Sequence, residues 1–223
     1  MKLSTLIAPL FLGPLCGACV VSLGDDWGAD VVGSGVAATE TRTIGEFKRI
    51  RVHGSTDVVA EVGDRTSLEL TADDNLLAYI VTRVDGDTLV IEMKEGSYSS
   101  HVPQLARIVS PTLEGFALDG SGDGRFSKLA GARFAVGIAG SGDIVCDGAV
   151  DALAVDIAGS GDVDASALAA KRVSVDIAGS GDVSVHAIED LDVSIAGSGD
   201  VVYAGEPRVQ QSVAGSGDIR RIH

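Results

Sequence analysis

Six aspartates recur at one place in a repeated motif. Gly-Ser-Gly-Asp occurs unchanged with its first glycine at Gly120, Gly140, Gly159, Gly179, Gly197 and Gly215, at intervals of 20, 19, 20, 18 and 18 residues. The carboxylates are Asp123, Asp143, Asp162, Asp182, Asp200 and Asp218. Aligned carboxylates offer two chemistries, a site for a hard cation such as Ca²⁺ or a general acid–base pair. Ca²⁺ is the sharper alternative, with Asp143, Asp162, Asp182 and Asp200 as its ligands. The spacing differs, however, from the nine-residue Gly-Gly-x-Gly-x-Asp repeat of calcium-binding solenoids. An acid–base pair needs two environments that push the pKa values apart, and identical repeats supply identical environments. The favoured reading is corner chemistry. Gly120, Ser121, Gly122 and Asp123, with their five later copies, turn the chain sharply, and an Asp or Ser oxygen accepts a backbone N–H that the turn frees. No catalytic residue, bound metal or cofactor is expected on this reading.

Other reactive side chains are sparse. Cys146 is the one cysteine beyond the N-terminal stretch, and no His or Asn stands in a recognisable partner motif for it. His53, His101, His186 and His223 share no metal-ligand spacing. Earlier in the chain, Gly54-Ser55-Thr56-Asp57 reads as a decayed copy of the repeated motif.

The elements that position these residues follow from the flanks. Two, four and six places before each motif lie apolar residues: Ile138, Val136 and Phe134, then Ile157, Val155 and Leu153, then Ile177, Val175 and Val173, then Ile195, Val193 and Leu191. Strict alternation marks strands with one buried face. It resumes after the motif in Ile144 and Cys146, Val163 and Ala165, Val183 and Val185, Val201 and Tyr203. Cys146 thus takes an inward slot as a small hydrophobe, and a shorter third side carries Leu168 and Ile188. Some nineteen residues at about 3.3 Å each give a perimeter near ~60 Å, which closes as short strands around a thin core. The predicted fold is all-β, a parallel β-helix or solenoid of about 18–20 residues per coil, in which each rung completes its core against its neighbours. With 45% apolar and only 4% aromatic residues, that core is made of Val, Ile, Leu and Ala. On the outer faces Asp156, Asp176, Ser174, Ser194, Lys171, Arg172 and Glu189 form polar ladders.

The chain divides into a signal peptide (1–18), a leader (19–43) and one solenoid domain (44–223), irregular to about residue 112 and regular from about 113. Within the irregular part, strands are expected around Ile50–Val52, Val58–Val62 and Leu68–Leu70, followed by a turn at Asp73-Asp74-Asn75. The stretch from Leu76 to Val84 is open between a short helix and an extended segment. Asp85-Gly86-Asp87 signals a hairpin, and Gly96 to Ser100 a loop. Gln211, where Val or Leu is expected, suits an end cap.

The formal charge of −15, from 32 acidic and 17 basic residues, repels nucleic acid and anionic lipid headgroups. Lys2 followed by the short apolar run Leu3 to Leu15 reads as an export signal, too short to span a bilayer. Leu15-Cys16-Gly17-Ala18-Cys19 resembles a bacterial lipobox. Cleavage after Ala18 leaves either a lipid attachment at Cys19 or a plainly secreted protein.

Phe47-Lys48-Arg49-Ile50, the Asp73-Asp74-Asn75-Leu76 turn, the Gly86 to Ile91 segment and the Gly-Ser-Gly-Asp array together resemble the bacterial head GIN domain family of auto-transporter adhesins, from about Phe47 to Ile222. The resemblance implies a right-handed parallel β-solenoid in an exported, lipidated or secreted protein. The membrane barrel of an auto-transporter does not follow His223, so self-translocation is not expected. The expected role is that of a cell-envelope surface protein, at an outer or cell-surface membrane or else periplasmic or secreted. It acts as a structural or adhesin-like interaction module held by its lipid anchor, with an envelope protein or glycan as partner and end-to-end or edge self-association open. Alternatives are a Ca²⁺-stabilised or glycan-binding solenoid and, behind them, a polysaccharide-active β-helix enzyme.

Overall fold

The computed structural model describes residues 31–222. The signal peptide, Cys16, Cys19, Trp27 and His223 lie outside the described residues. The strands, in chain order, are β1 (Val31–Val32), β2 (Ala37–Arg42), β3 (Arg49–Gly54), β4 (Asp57–Val62), β5 (Ser67–Asp73), β6 (Ile80–Asp85), β7 (Thr88–Met93), β8 (Tyr98–Ser99), β9 (Leu105–Ser110), β10 (Gly115–Gly120), β11 (Gly124–Gly140), β12 (Ile144–Gly159), β13 (Val163–Gly179), β14 (Val183–Gly197), β15 (Val201–Ala204), β16 (Arg208–Gly215) and β17 (Ile219–Arg221). One 3₁₀ turn spans Leu77–Tyr79.

Stacking in register is the organising fact. Ile157 pairs with Ile177, twenty positions on, and Ile177 with Ile195. Each coil has a pre-corner strand, the Gly-Ser-Gly-Asp corner and a post-corner strand. A looser bend, marked by register shifts, then leads to the next coil. The pre-corner strands stack as β7, β3, β10, the second halves of β11 to β14, and β16, all parallel. The post-corner strands stack as β9, β4, the first halves of β11 to β14, β15 and β17. Between the two faces the alternating residues close the core. The column Ile138, Ile157, Ile177 and Ile195 is 1–3% exposed, and full burial of such a side chain contributes roughly 2 kcal/mol.

The coils do not stack in sequence order. The chain first makes β3 and β4, then leaves through β5 and the β6–β7 hairpin to build the layer below, with β7 beside β3 and β9 beside β4. It then crosses to the opposite side of β3 as β10. Three antiparallel strands are added at this lower end: β6 on β7, β5 on β9 and β2 on β5.

Several local expectations need correcting. Residues 31–42, expected as a leader, form β1 and β2, and β2 pairs with β5 over six residues. The open stretch from Leu76 to Val84 holds both a 3₁₀ turn and the strand β6. The predicted loop at Gly96–Ser100 includes the short strand β8, paired with β1. Ile188, expected to point inward beside Leu168, is 49% exposed, whereas Leu168 is fully buried. The bend of β14 is shorter than that of β13, so Ala187 alone fills the inward space. Aromatics do enter the core, Phe47 among them. Phe126 stacks against Phe116 and Phe134 at 4.7 and 5.5 Å between ring centroids, where the neighbouring inward residue is Gly124 instead of a branched side chain.

Candidate interaction face

At the corners, each residue type answers one contact. In every copy the first glycine has positive φ, from 147° to 156°. A Cβ on Gly179 would lie 1.9 Å from the Gly159 carbonyl oxygen of the coil beneath. The second glycine meets the same constraint without the unusual φ, since a Cβ on Gly181 would lie 2.1 Å from Gly161 O. Backbone N–H groups of the corner serines donate between coils, as in Ser180 N to Gly159 O and Ser198 N to Gly179 O at 2.9 Å each.

The aspartates form a continuous ladder. Oδ1 of Asp57 accepts from the N–H of Asp123, Asp123 from Asp143, Asp143 from Asp162, Asp162 from Asp182, Asp182 from Asp200 and Asp200 from Asp218, at 2.7–3.2 Å. The acceptor role was legible in the sequence; its direction, to the next coil instead of within the turn, was not. Asp57 shows that the decayed motif still occupies its rung. Among the described residues no group of three His, Cys, Asp or Glu side chains is placed to hold a metal ion.

The other candidates are dispersed. Cys146 is fully buried in the slot between Phe126 and the Ala165–Val185 pair. Burial, with the nearby negative charges of Asp147 and Asp164, pushes its thiol up to about 12, so it carries no thiolate at neutral pH. His53 meets Asp119 at 3.1 Å, and His101 Nδ1 lies 2.9 Å from the Gly33 carbonyl.

One buried polar centre was read in the sequence only as a turn. Asp73 has no exposed surface. It accepts hydrogen bonds from Gly35 N (2.7 Å), Ser100 Oγ (2.8 Å), His101 N (3.0 Å) and Val102 N (3.1 Å). Burial acts to raise its pKa, but these donors outweigh it and hold the carboxyl at about 2. Beside it Asn75 takes Ser34 N on Oδ1 and donates Nδ2 to Val32 O, both at 2.9 Å. The Asp73-Asp74-Asn75 turn therefore ties the entering chain to the 98–102 segment.

The outward side of the pre-corner face is a repetitive surface. By register, one outward column runs Asp119, Ala139, Ala158, Ala178, Ala196, Ala214. Beside it runs Arg51, Ala117, Gly137, Asp156, Asp176, Ser194. Together they floor a shallow groove of about 460 Å³. Nearer the bend a second depression of about 450 Å³ lies over Ala152, Ala154 and Ser174, rimmed by Arg133, Arg172, Asp190 and Asp192. Burial, and then the charge of Asp176, raises the pKa of Asp156. Asp156, Asp176, Ser174, Ser194 and Arg172 thus meet on one face. Lys171 is drawn aside to Asp151 at 2.6 Å, and Glu189 stays exposed at the bend. The alanine column escaped the sequence reading, although its signal was present: an alanine directly precedes five of the six motifs.

An all-β stack of parallel coils with repeated small outward residues is the architecture of a parallel β-solenoid. The family "Putative auto-transporter adhesin, head GIN domain" matches residues 46–207, and the chain belongs to it. A crystal structure of a "putative adhesin" from Bacteroides fragilis is 23% identical, with a TM-score of 0.71, covering 86% of this chain and 100% of that one. One from Parabacteroides distasonis, a "Putative lipid binding protein", is 30% identical with a TM-score of 0.54, covering 87% and 100%. A second "putative adhesin", also from P. distasonis, is 22% identical with a TM-score of 0.57. No protein of curated function matches the sequence.

Proposed function

We propose that this protein is a non-catalytic, adhesin-like module of the bacterial cell envelope, and that the outward pre-corner face is its contact surface. The carrying observation is the composition of that face: columns of Ala, Gly, Ser and Asp at the repeat spacing of parallel strands, about 4.8 Å, over several coils. Small side chains let an extended, repetitive partner lie close along the coils, while Asp156, Asp176 and the arginine rim supply hydrogen bonds. An envelope glycan fits that chemistry; the net charge of −15 opposes anionic lipid and nucleic acid. Membership of an adhesin-like family supports an exported or cell-surface setting, and Cys19 is the residue we assign as lipid anchor. Labelling with a palmitate analogue, lost in Cys19→Ala, tests the anchor.

The face is tested with Ala158→Arg/Ala178→Arg, both at exposed outward positions, against a panel of purified envelope polysaccharides. The expected result is retention of a glycan by the native protein and at least ~tenfold weaker binding by the variant, a loss of about 1.4 kcal/mol. A panel that binds neither protein, or binds both alike, removes the assignment.

A further inference from the structure

The two ends of the stack differ. At the lower end the antiparallel strands β2, β5 and β6 are added, with β2 and β6 outermost; at the other end, among the described residues, β16 pairs on one side only, with β14, and continues the parallel stack. Its apolar residues Val209 and Val213 are 37% and 41% exposed. Ser216 N reaches back to Gly197 O. In a parallel ladder successive residues alternate sides, so the N–H and C=O groups of Val209, Gln211 and Val213 point away from β14, toward the open edge. The same three residues occupy inward columns, since Leu191, Val193 and Ile195 are their partners.

From this edge we infer that the protein pairs with a second copy of itself, β16 against β16 in antiparallel register about a two-fold axis at Gln211. In that register Val209 faces the second copy's Val213, Gln211 faces its own counterpart, and Val213 faces Val209. All three pairs are of the hydrogen-bonded kind, because all three residues present their backbone groups to the edge. Shifting the register by two residues sets Gln211 against Val and strands its amide among apolar side chains. A glutamine in an otherwise apolar column (Val136, Val155, Val175, Val193) thereby acts as a register key, as a buried polar residue does in a coiled coil. An isologous contact of this kind closes at two copies. Pro207, which has no N–H, would face Gly215 and ends the pairing. Charge favours the same end: from Gly205 to Ile222 three arginines outnumber two acids, in a chain of net −15. Mutual repulsion between copies is therefore weak at this end. The paired molecule carries its two outward pre-corner faces in one continuous sheet.

The test is sedimentation equilibrium of the full chain carrying Cys16→Ala and Cys19→Ala, so that the buried Cys146 is the only thiol. A concentration-dependent dimer is expected. Gln211→Pro removes one edge-facing donor and none that bonds to β14, a substitution that edge strands tolerate. It should weaken the dimer by ~tenfold or more while the thermal melt stays within a few degrees. In the same background Gln211→Cys should form an intermolecular disulfide on mild oxidation, because Cα atoms of a hydrogen-bonded antiparallel pair lie about 5.5 Å apart. Gln210→Cys should not, its diagonal separation being about 8 Å. A monomer at all concentrations, species larger than a dimer, or equal cross-linking at 210 and 211 would overturn the inference.

Discussion

Gly179→Ala is the sharpest test of the corner. Two independent effects act on the new methyl group. At φ +153° the backbone lies where L-residues are strained, at a cost of about 1–3 kcal/mol. The Cβ would also stand 1.9 Å from Gly159 O, so the two coils must part by more than an ångström. That movement weakens the two corner hydrogen bonds that join these coils, Ser180 N to Gly159 O and Asp182 N to Asp162 Oδ1, each worth about 1 kcal/mol. The total is about 4 kcal/mol. For a domain of this size it lowers the melting midpoint by about 10 °C. Gly181→Ala has the close contact but not the positive φ, so its loss should be smaller by the strain term. Gly137→Ala, with open space around the added atom and ordinary φ, should stay within about 0.5 kcal/mol of the parent. Thermal and urea melts followed by circular dichroism read all three. If Gly179→Ala and Gly137→Ala melt together, the coils are not held at the spacing described and the argument for the motif fails.

Three further outcomes follow from the same contacts. Asp73 has its pKa lowered to about 2, below the ordinary carboxyl value near 4. Its stabilisation is therefore complete above that value and is lost as pH falls through about 2; the melting midpoint should drop steeply between pH 4 and 2, and less steeply in Asp73→Asn. Cys146, buried and with its thiol pushed up to about 12, should resist iodoacetamide at pH 8 in the folded protein and react once urea unfolds it; fast labelling of the native state would contradict the packing. Because the ladder aspartates are occupied by backbone N–H donors, melts in EDTA and in millimolar Ca²⁺ should coincide, and a rise of several degrees with Ca²⁺ would restore the cation reading.

What the sequence revealed and concealed has a physical basis. The inward columns were legible because burial on one face of a strand enforces a period of two, and the motif interval enforces the stacking. Ile157 beside Ile177 follows from those two periods alone. The placement of β7 below β3, and β10 above it, was not legible. Ile50 finds Leu89 on one side and Phe116 on the other, and nothing local in these short apolar runs says which partner lies where. Ile188 stands twenty places after Leu168, as Ile177 does after Ile157, and so reads as its inward counterpart; a coil two residues shorter leaves room for Ala187 only. Asp73 was visible as a turn residue, but its donors come from Gly35 and from Ser100 to Val102, which only the folded chain brings together.

The same repetition that makes the fold legible constrains what it does. A column of equivalent side chains on parallel strands has one environment, modulated only at its ends. Asp156 lies between Gly137 and Asp176, and Ser194 follows, so charge along the face varies by sequence drift and not by a pocket that encloses one residue. Such a surface offers many similar weak contacts at a fixed spacing. Affinity then grows with the number of coils engaged, as in any multivalent contact, and the loss from one substitution depends on its place in the row. Arginine at Ala178, in mid-face, should weaken a bound polymer more than arginine at Ala139 near the start of the column. Equal losses at the two positions would point to a single local site instead of a row.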